Sequence, residues 1–133
     1  MVWQYLDLAD FLLIAEAVLD LPAEDLARAS RMDLADSALH APAAEFGGVE
    51  FYPDLARKTA VLAARLIRNH PLHDGNKRVG YLCALEFVAR NGGTWTYPPA
   101  DPEGDETVAI IEGVAAGAVD EDELCDWVSR RLA

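Results

Sequence analysis

The chain has 133 residues, enough for one domain with its own core and too few for two ordinary ones. Hydrophobic residues make up 52% of it and alanine alone contributes 23, a globular, helix-leaning composition rather than a disordered one. Eleven Lys and Arg against 23 Asp and Glu leave a net charge of −12, which argues against gripping a nucleic-acid backbone by bulk charge. No apolar run approaches the roughly 20 residues of a membrane span, and the N-terminus lacks the basic start and cleavage site of a signal peptide. Cys83 and Cys125 lie far apart and form no CxxC, so the expectation is a reduced, cytoplasmic protein without a disulfide framework or a zinc site.

Taken in chain order, Asp7 to Leu19 reads as an amphipathic helix capped by Asp7, with Leu8, Phe11, Leu12, Ala15, Val18 and Leu19 at helical spacing. Leu21-Pro22 interrupts it, and Ala23 to Ala29 restarts with Pro22 in a first-turn position. Asp33 to His40 is a further short helix that stops near Pro42. The texture then changes: Phe46-Gly47-Gly48-Val49-Glu50-Phe51-Tyr52 reads as a short hairpin or extended flap. Asp54 caps a long helix to about Asn69, and a second long helix runs from about Asn76 to Arg90, stopped by Asn91-Gly92-Gly93. A short extended piece at Thr94–Tyr97 and an acidic, proline-bearing loop follow. Two helices close the chain, about Thr107–Ala116 and Asp120–Leu132, the last with Arg130 and Arg131 at its C-terminal end. There is no internal repeat or linker, and residues 1–133 read as a single domain.

The charge is uneven. Arg57, Lys58, Arg65, Arg68, Lys77, Arg78 and Arg90 put seven of the eleven cations in one 34-residue window of net +5, leaving −17 elsewhere. The bland reading is the solvent face of two helices. The sharper one is a local anion site suited to a small phosphorylated ligand.

The loop between the two long helices, His70-Pro71-Leu72-His73-Asp74-Gly75-Asn76-Lys77-Arg78, carries the chemistry. Lys77 and Arg78 stand in the first turn of a helix, where the macrodipole disfavours cations, and such a local violation points to function. Gly75 lets the backbone N–H groups at the helix start face outward as an anion cradle. Asp74 beside that cradle suits a divalent cation bridging carboxylate and phosphate. His70 overhangs it and, as an imidazole, can accept a hydroxyl proton near neutral pH. Against these stand a histidine cap, an Asp turn residue, and a transition-metal site of His70, His73 and Asp74, which Pro71 and Gly75 oppose by breaking the helix. His40 receives no role.

This loop resembles the central motif of the Fic/Doc family, H-x-F-x-D/N-G/A-N-K/G-R, and within it the Doc branch of toxins from toxin–antitoxin pairs. The resemblance extends to Arg68, two residues before the motif histidine, to Leu85–Gly92, and to Gly113–Val119 and Asp126–Leu132. It covers about Asp54 to Leu132, whereas the first 45 residues match in helical pattern and length alone. It implies an all-α fold, a compact bundle of about six helices with a short β flap. Lys77 stands where AMP-transferring members carry Gly, which implies transfer of the ATP γ-phosphate to a protein hydroxyl, with Mg²⁺, on a threonine of elongation factor Tu, stalling translation.

The implied roles are His70 as general base, Asp74 as Mg²⁺ ligand, Asn76, Lys77, Arg78 and Arg68 as phosphate contacts, and Gly75 as backbone access. Phe46, Gly47, Gly48, Val49, Glu50, Phe51 and Tyr52 would form a target-docking flap. Departures are Leu72 in place of Phe, His73 in place of Asn, and Gly75, the residue that AMP-transferring members prefer. AMP transfer and a catalytically silent binding domain are the competing readings. The inhibitory pattern S/T-x-x-x-E-G/N is met only by Val108-x-x-x-Glu112-Gly113, without the hydroxyl, so a separate antitoxin that folds a helix into an apolar groove is the expected means of control.

Overall fold

The computed structural model describes residues 2–133. Seven α-helices are present: α1 Leu8–Leu19, α2 Ala23–Ala29, α3 Met32–His40, α4 Leu55–Asn69, α5 Asn76–Arg90, α6 Asp105–Ala115 and α7 Glu121–Arg131. A 3₁₀ turn at Ala41–Ala43 leads into a hairpin of β1 Glu45–Phe46 and β2 Val49–Glu50. This is the expected all-α bundle with a small β element. No helix among the described residues is long and apolar enough to cross a membrane.

The caps are those the sequence predicts. Asp7 accepts the N–H of Asp10 and completes a reciprocal pair with the Asp10 side chain, Asp54 accepts from Arg57, and Asp120 accepts from Glu123. Several boundaries differ, and α3 begins at Met32, one residue before the expected Asp33. Pro22 is the N-cap of α2 rather than a first-turn residue. Helix α6 begins at Asp105, two residues before the expected Thr107, because Gly104 in the left-handed region (φ 77°) turns the chain into it. The expected extended piece at Thr94–Tyr97 is reduced to one bridge, Trp95 to Leu132.

Helix α4 is the axis of the bundle and packs against α3, α5, α6 and α7. Lys58 through Ala64, Leu66 and Ile67 are all buried. Its alanines let neighbours approach on two sides. One cluster joins Phe11, Ala15, Leu39, Leu62, Leu66, Leu72 and Phe87. The other joins Ala60, Ala64, Ile67, Ile111, Leu124 and Trp127. Burying each of the leucine, isoleucine and phenylalanine side chains among them stabilises by about 1.5–3 kcal/mol.

One buried residue of α4 contradicts its place in the basic window. Lys58 has no solvent exposure. Its ammonium donates to the Tyr5 hydroxyl at 3.0 Å, the Pro42 carbonyl at 2.9 Å and Glu50 Oε1 at 3.0 Å, which saturates its three N–H groups. Burial pulls the Lys58 pKa down, but the bonds to Tyr5 and Glu50 outweigh it and the group is held above its ordinary value. The 0% exposure is why Lys58 fastens the hairpin instead of serving an anion site.

The hairpin register follows. Gly47 and Gly48, with φ of 59° and 81°, supply the tight turn. Phe46 faces Val49 across the ladder and Glu45 faces Glu50. Because Glu50 turns inward to Lys58, alternation sends the Phe46–Val49 pair outward, where they are 81% and 69% exposed.

Replacing Lys58 by Met strands the Pro42 carbonyl and the Tyr5 hydroxyl. We expect a loss of about 2–3 kcal/mol, read by thermal denaturation. Since the Lys58 pKa is raised, its contribution persists at neutral and acid pH and disappears as pH rises through the alkaline lysine range. The wild-type chain therefore melts progressively earlier there, and Lys58→Met removes that component of the alkaline dependence.

Candidate active site

The α4–α5 loop is built on two residues. Leu72 is buried in the core, so this apolar side chain anchors the loop in place of the motif Phe. Asn76, also buried, folds back on it: Oδ1 accepts the Leu72 N–H and Nδ2 donates to the Leu72 carbonyl, both at 2.9 Å. The Asn76 side chain thus fixes the loop through Oδ1 and one of its two Nδ2 hydrogens, and its backbone N–H stays open at the helix start. The Pro71 carbonyl accepts from Arg31 N, and Asn69 Nδ2 donates to the Leu34 carbonyl, which ties the loop to α3.

Gly75 begins α5 with φ 82° and no side chain caps the helix. A Cβ at this position would lie 2.4 Å from Leu19 Cδ2 at the end of α1. The left-handed backbone favours glycine here, and an added Cβ would have to displace the flexible tip of Leu19. The first N–H returned to the helix is that of Val79, to the Gly75 carbonyl. The N–H groups of Asn76, Lys77 and Arg78 are left pointing out of the helix, as an anion cradle requires.

These groups open on a cleft of about 520 Å³ whose wall includes Arg68, His70, His73, Asp74, Gly75 and Lys77. Its far side is the small-residue end of α6 and the turn that follows, Ala115-Ala116-Gly117. His70 is exposed, ends α4, and sits at φ 53° and ψ 54°, one of two non-glycine residues with positive φ among those described. Side chains tolerate this region at a cost, and such positions gather at functional sites. Asp74 is exposed on the same rim.

The cations divide. Lys77 lines the cleft and pairs with Glu112 at 3.0 Å across to α6, an exposed pair that is worth little and easily displaced. Arg68 is on the cleft wall, but its guanidinium donates to the Val119 carbonyl at 2.6 Å and to the Val114 carbonyl at 3.4 Å, clamping the α6–α7 turn. Arg78 lines not the His70 cleft but the two hollows beside it. One, about 350 Å³, is apolar and formed with Leu19, Leu21, Leu26 and Leu72. The other, about 420 Å³, lies between α5 and α6 against Tyr81, Thr107, Val108 and Ile111.

The structure therefore brings His70, Asp74, Gly75 and Lys77 to one cleft, with Arg78 next to it. It does not bring the hairpin there: none of Phe46 to Tyr52 lines the cleft. What sequence reasoning missed is the α1–α2 turn, which packs against the far side of the motif loop, and Glu112, visible only as part of an incomplete pattern. No group of three or more His, Cys, Asp or Glu among the described residues could hold a metal ion by itself. The lone exposed carboxylate of Asp74 beside the open N–H groups is compatible with Mg²⁺, which is commonly held by one or two carboxylates plus substrate phosphates. Asp74 is the residue that would hold it.

Replacing Gly75 by Ala costs about 1–2 kcal/mol through the left-handed backbone alone, with the Leu19 overlap in addition. We expect trimming of Leu19 to Ala to recover the second part only, measured as a coupling between the two substitutions in urea denaturation.

Two comparisons bear on this geometry. The family model described as Fic/DOC family matches residues 5–88. A protein called Toxin Doc, from Mycolicibacterium smegmatis, is 37% identical over 91 residues, which is 68% of this chain and 68% of that one. The family match includes α4, α5 and the loop between them, and on these grounds the chain belongs to the Fic/DOC family.

Proposed function

We propose that the chain is a Doc-type toxin that transfers the γ-phosphate of ATP to a hydroxyl of a protein of the translation machinery. The observation that carries this reading is the uncapped first turn of α5, with three free N–H groups beside Lys77, opening on the same cleft as His70. Phosphoryl transfer requires positioning and charge neutralisation more than covalent chemistry, and this site supplies both.

In this account the N–H groups of Asn76, Lys77 and Arg78 and the two cationic side chains grip the phosphates. The incoming polyphosphate takes Lys77 from Glu112. A divalent cation held at Asp74 would add charge neutralisation at the same phosphates. His70 accepts the proton of the target hydroxyl, whose oxygen bonds to the γ-phosphorus as the bond to the bridging oxygen breaks and ADP leaves. The groove between α5 and α6 is apolar beyond Lys77 and suits the rest of the nucleotide. The left-handed backbone at Gly75 is a conformational reason for glycine that does not depend on which phosphate is transferred.

The relative's name supports a toxin, and a separate antitoxin is the control proposed for it. An apolar groove between α1 and α5, lined by Ile14, Val18, Leu82 and Leu85, suits a helix that folds on binding. The hairpin remains a proposed target-docking element, offering the outward Phe46–Val49 pair and free backbone edges to an extended segment.

The test is intact-mass spectrometry of elongation factor Tu incubated with the chain, ATP and Mg²⁺. A gain of about 80 Da marks γ-phosphoryl transfer, and a gain of about 329 Da would overturn the reading in favour of AMP transfer. His70→Ala should lower the rate by about 10²–10⁴-fold and abolish toxicity of the chain expressed alone. Toxicity that persists in that variant would sink any enzymatic account.

A further inference from the structure

The hairpin is too short to fix its own geometry. Each strand has two residues, and an isolated ladder of that size is marginal in water. Its register also sets Glu45 directly opposite Glu50, and like charges facing each other across a ladder oppose the pairing. A slip of one residue in β2 would send Glu50 outward and turn Val49 inward.

The register is held by the ammonium of Lys58. Two of its three N–H groups are fixed by the Tyr5 hydroxyl and the Pro42 carbonyl, and the third reaches Glu50 Oε1 at 3.0 Å. The ammonium also lies over the Trp3 and Tyr5 rings, 4.9 and 5.4 Å from their centroids. Trp3, Tyr5 and Pro42 all lie outside the hairpin. Lys58 is therefore fixed without Glu50, whereas the Glu50 carboxylate is held through Lys58.

The same helix carries the reacting end. Lys58 stands near the start of α4 and His70 closes it, about 18 Å farther along the axis. An extended chain crosses that span in about five or six residues. Arg65, between the two, donates to the Tyr52 hydroxyl at 3.4 Å and braces the base of the hairpin. The ladder leaves free edges for such a chain. Phe51 N–H donates to the Ala44 carbonyl at 3.0 Å, so by alternation the backbone groups of Glu45 and Glu50 point away from the ladder. A strand added there sets alternate side chains beside Phe46 or Val49.

We infer that Lys58 is a positioning residue for the protein target: through Glu50 it holds the hairpin with Phe46 and Val49 outward, and so selects an extended segment that places an apolar side chain on that face. The inference rests on the target-docking reading of the hairpin and adds the residue that aims it.

The test is steady-state transfer from γ-labelled ATP to elongation factor Tu by the full chain, with the factor as the varied substrate. Glu50→Ala is the first variant, because Lys58 keeps Tyr5 and Pro42 and the core stays closed. It should raise KM for the factor about fivefold or more, the cost of one misplaced interface anchor. The kcat, and the ATP affinity read by isothermal titration, should stay at wild-type values. Glu50→Gln, whose amide oxygen still accepts from Lys58, should restore most of the lost affinity. Phe46→Ser should raise KM as well. Adding Glu50→Ala to it should cost little more, because the two act through one face although their side chains point to opposite sides of the ladder. An unchanged KM in Glu50→Ala, a fall in kcat alone, a Glu50→Gln variant no better than Glu50→Ala, or full additivity with Phe46→Ser overturns the positioning role and leaves the transfer reading standing. No transfer by the wild-type chain overturns the transfer reading for this factor, and the positioning role falls with it.

Discussion

The first turn of α5 has no cap, and the loop before it is held instead by Asn76. A helix start usually meets its free N–H groups with a side chain of its own. Here the one amide available bonds backward to both polar groups of Leu72, and Gly75 enters the helix through a left-handed turn that brings no side chain with it. The loop is rigid because Leu72 is in the core, and the N–H groups are open because Asn76 is occupied. The cleft follows from both conditions. His70 at the end of α4 and Lys77 in the first turn of α5 reach it only while that loop keeps its shape.

The arrangement depends in turn on α4, which supplies the floor of the cleft and shares its buried face with both core clusters. It also explains why a local excess of cations does not make a broad anion surface. Of the seven in the basic window, Lys58 is buried beneath the hairpin, Arg57 and Arg65 pair with Asp122 and Glu121 of α7, Arg90 pairs with Asp10 of α1, and Arg68 clamps the α6–α7 turn. Lys77 and Arg78 are the two that stand next to the cradle, and one of them rests on a displaceable glutamate. A site with so few committed charges suits a small phosphorylated ligand on an otherwise acidic protein.

Much of this was legible in the sequence. Helix periodicity and the caps Asp7, Asp54 and Asp120 gave the elements, because those signals are local. The motif loop marked the cleft, since a lysine and an arginine in a first turn conflict with the dipole and with nothing else nearby. The contacts that Lys58, Arg68 and Asn76 make were not legible. Each is decided by partners far along the chain or by a backbone group: Tyr5 and Glu50 for Lys58, the carbonyls of Val114 and Val119 for Arg68, the loop backbone for Asn76. The hairpin was recognisable from its glycines, but that it does not line the cleft was not, because loops carry no signal of where they pack. Gly75 invited a chemical explanation, and its left-handed backbone supplies a conformational one.

The central claim is that the geometry at Lys77 transfers the terminal phosphate of the nucleotide to a protein. The most direct measurement incubates a cell lysate with the chain and ATP labelled either at the γ- or at the α-phosphate, and follows label into protein bands with the wild type and His70→Ala. The account predicts a band labelled from γ-labelled ATP alone and lost in the variant. A band labelled from α-labelled ATP, or one that survives His70→Ala, would contradict it.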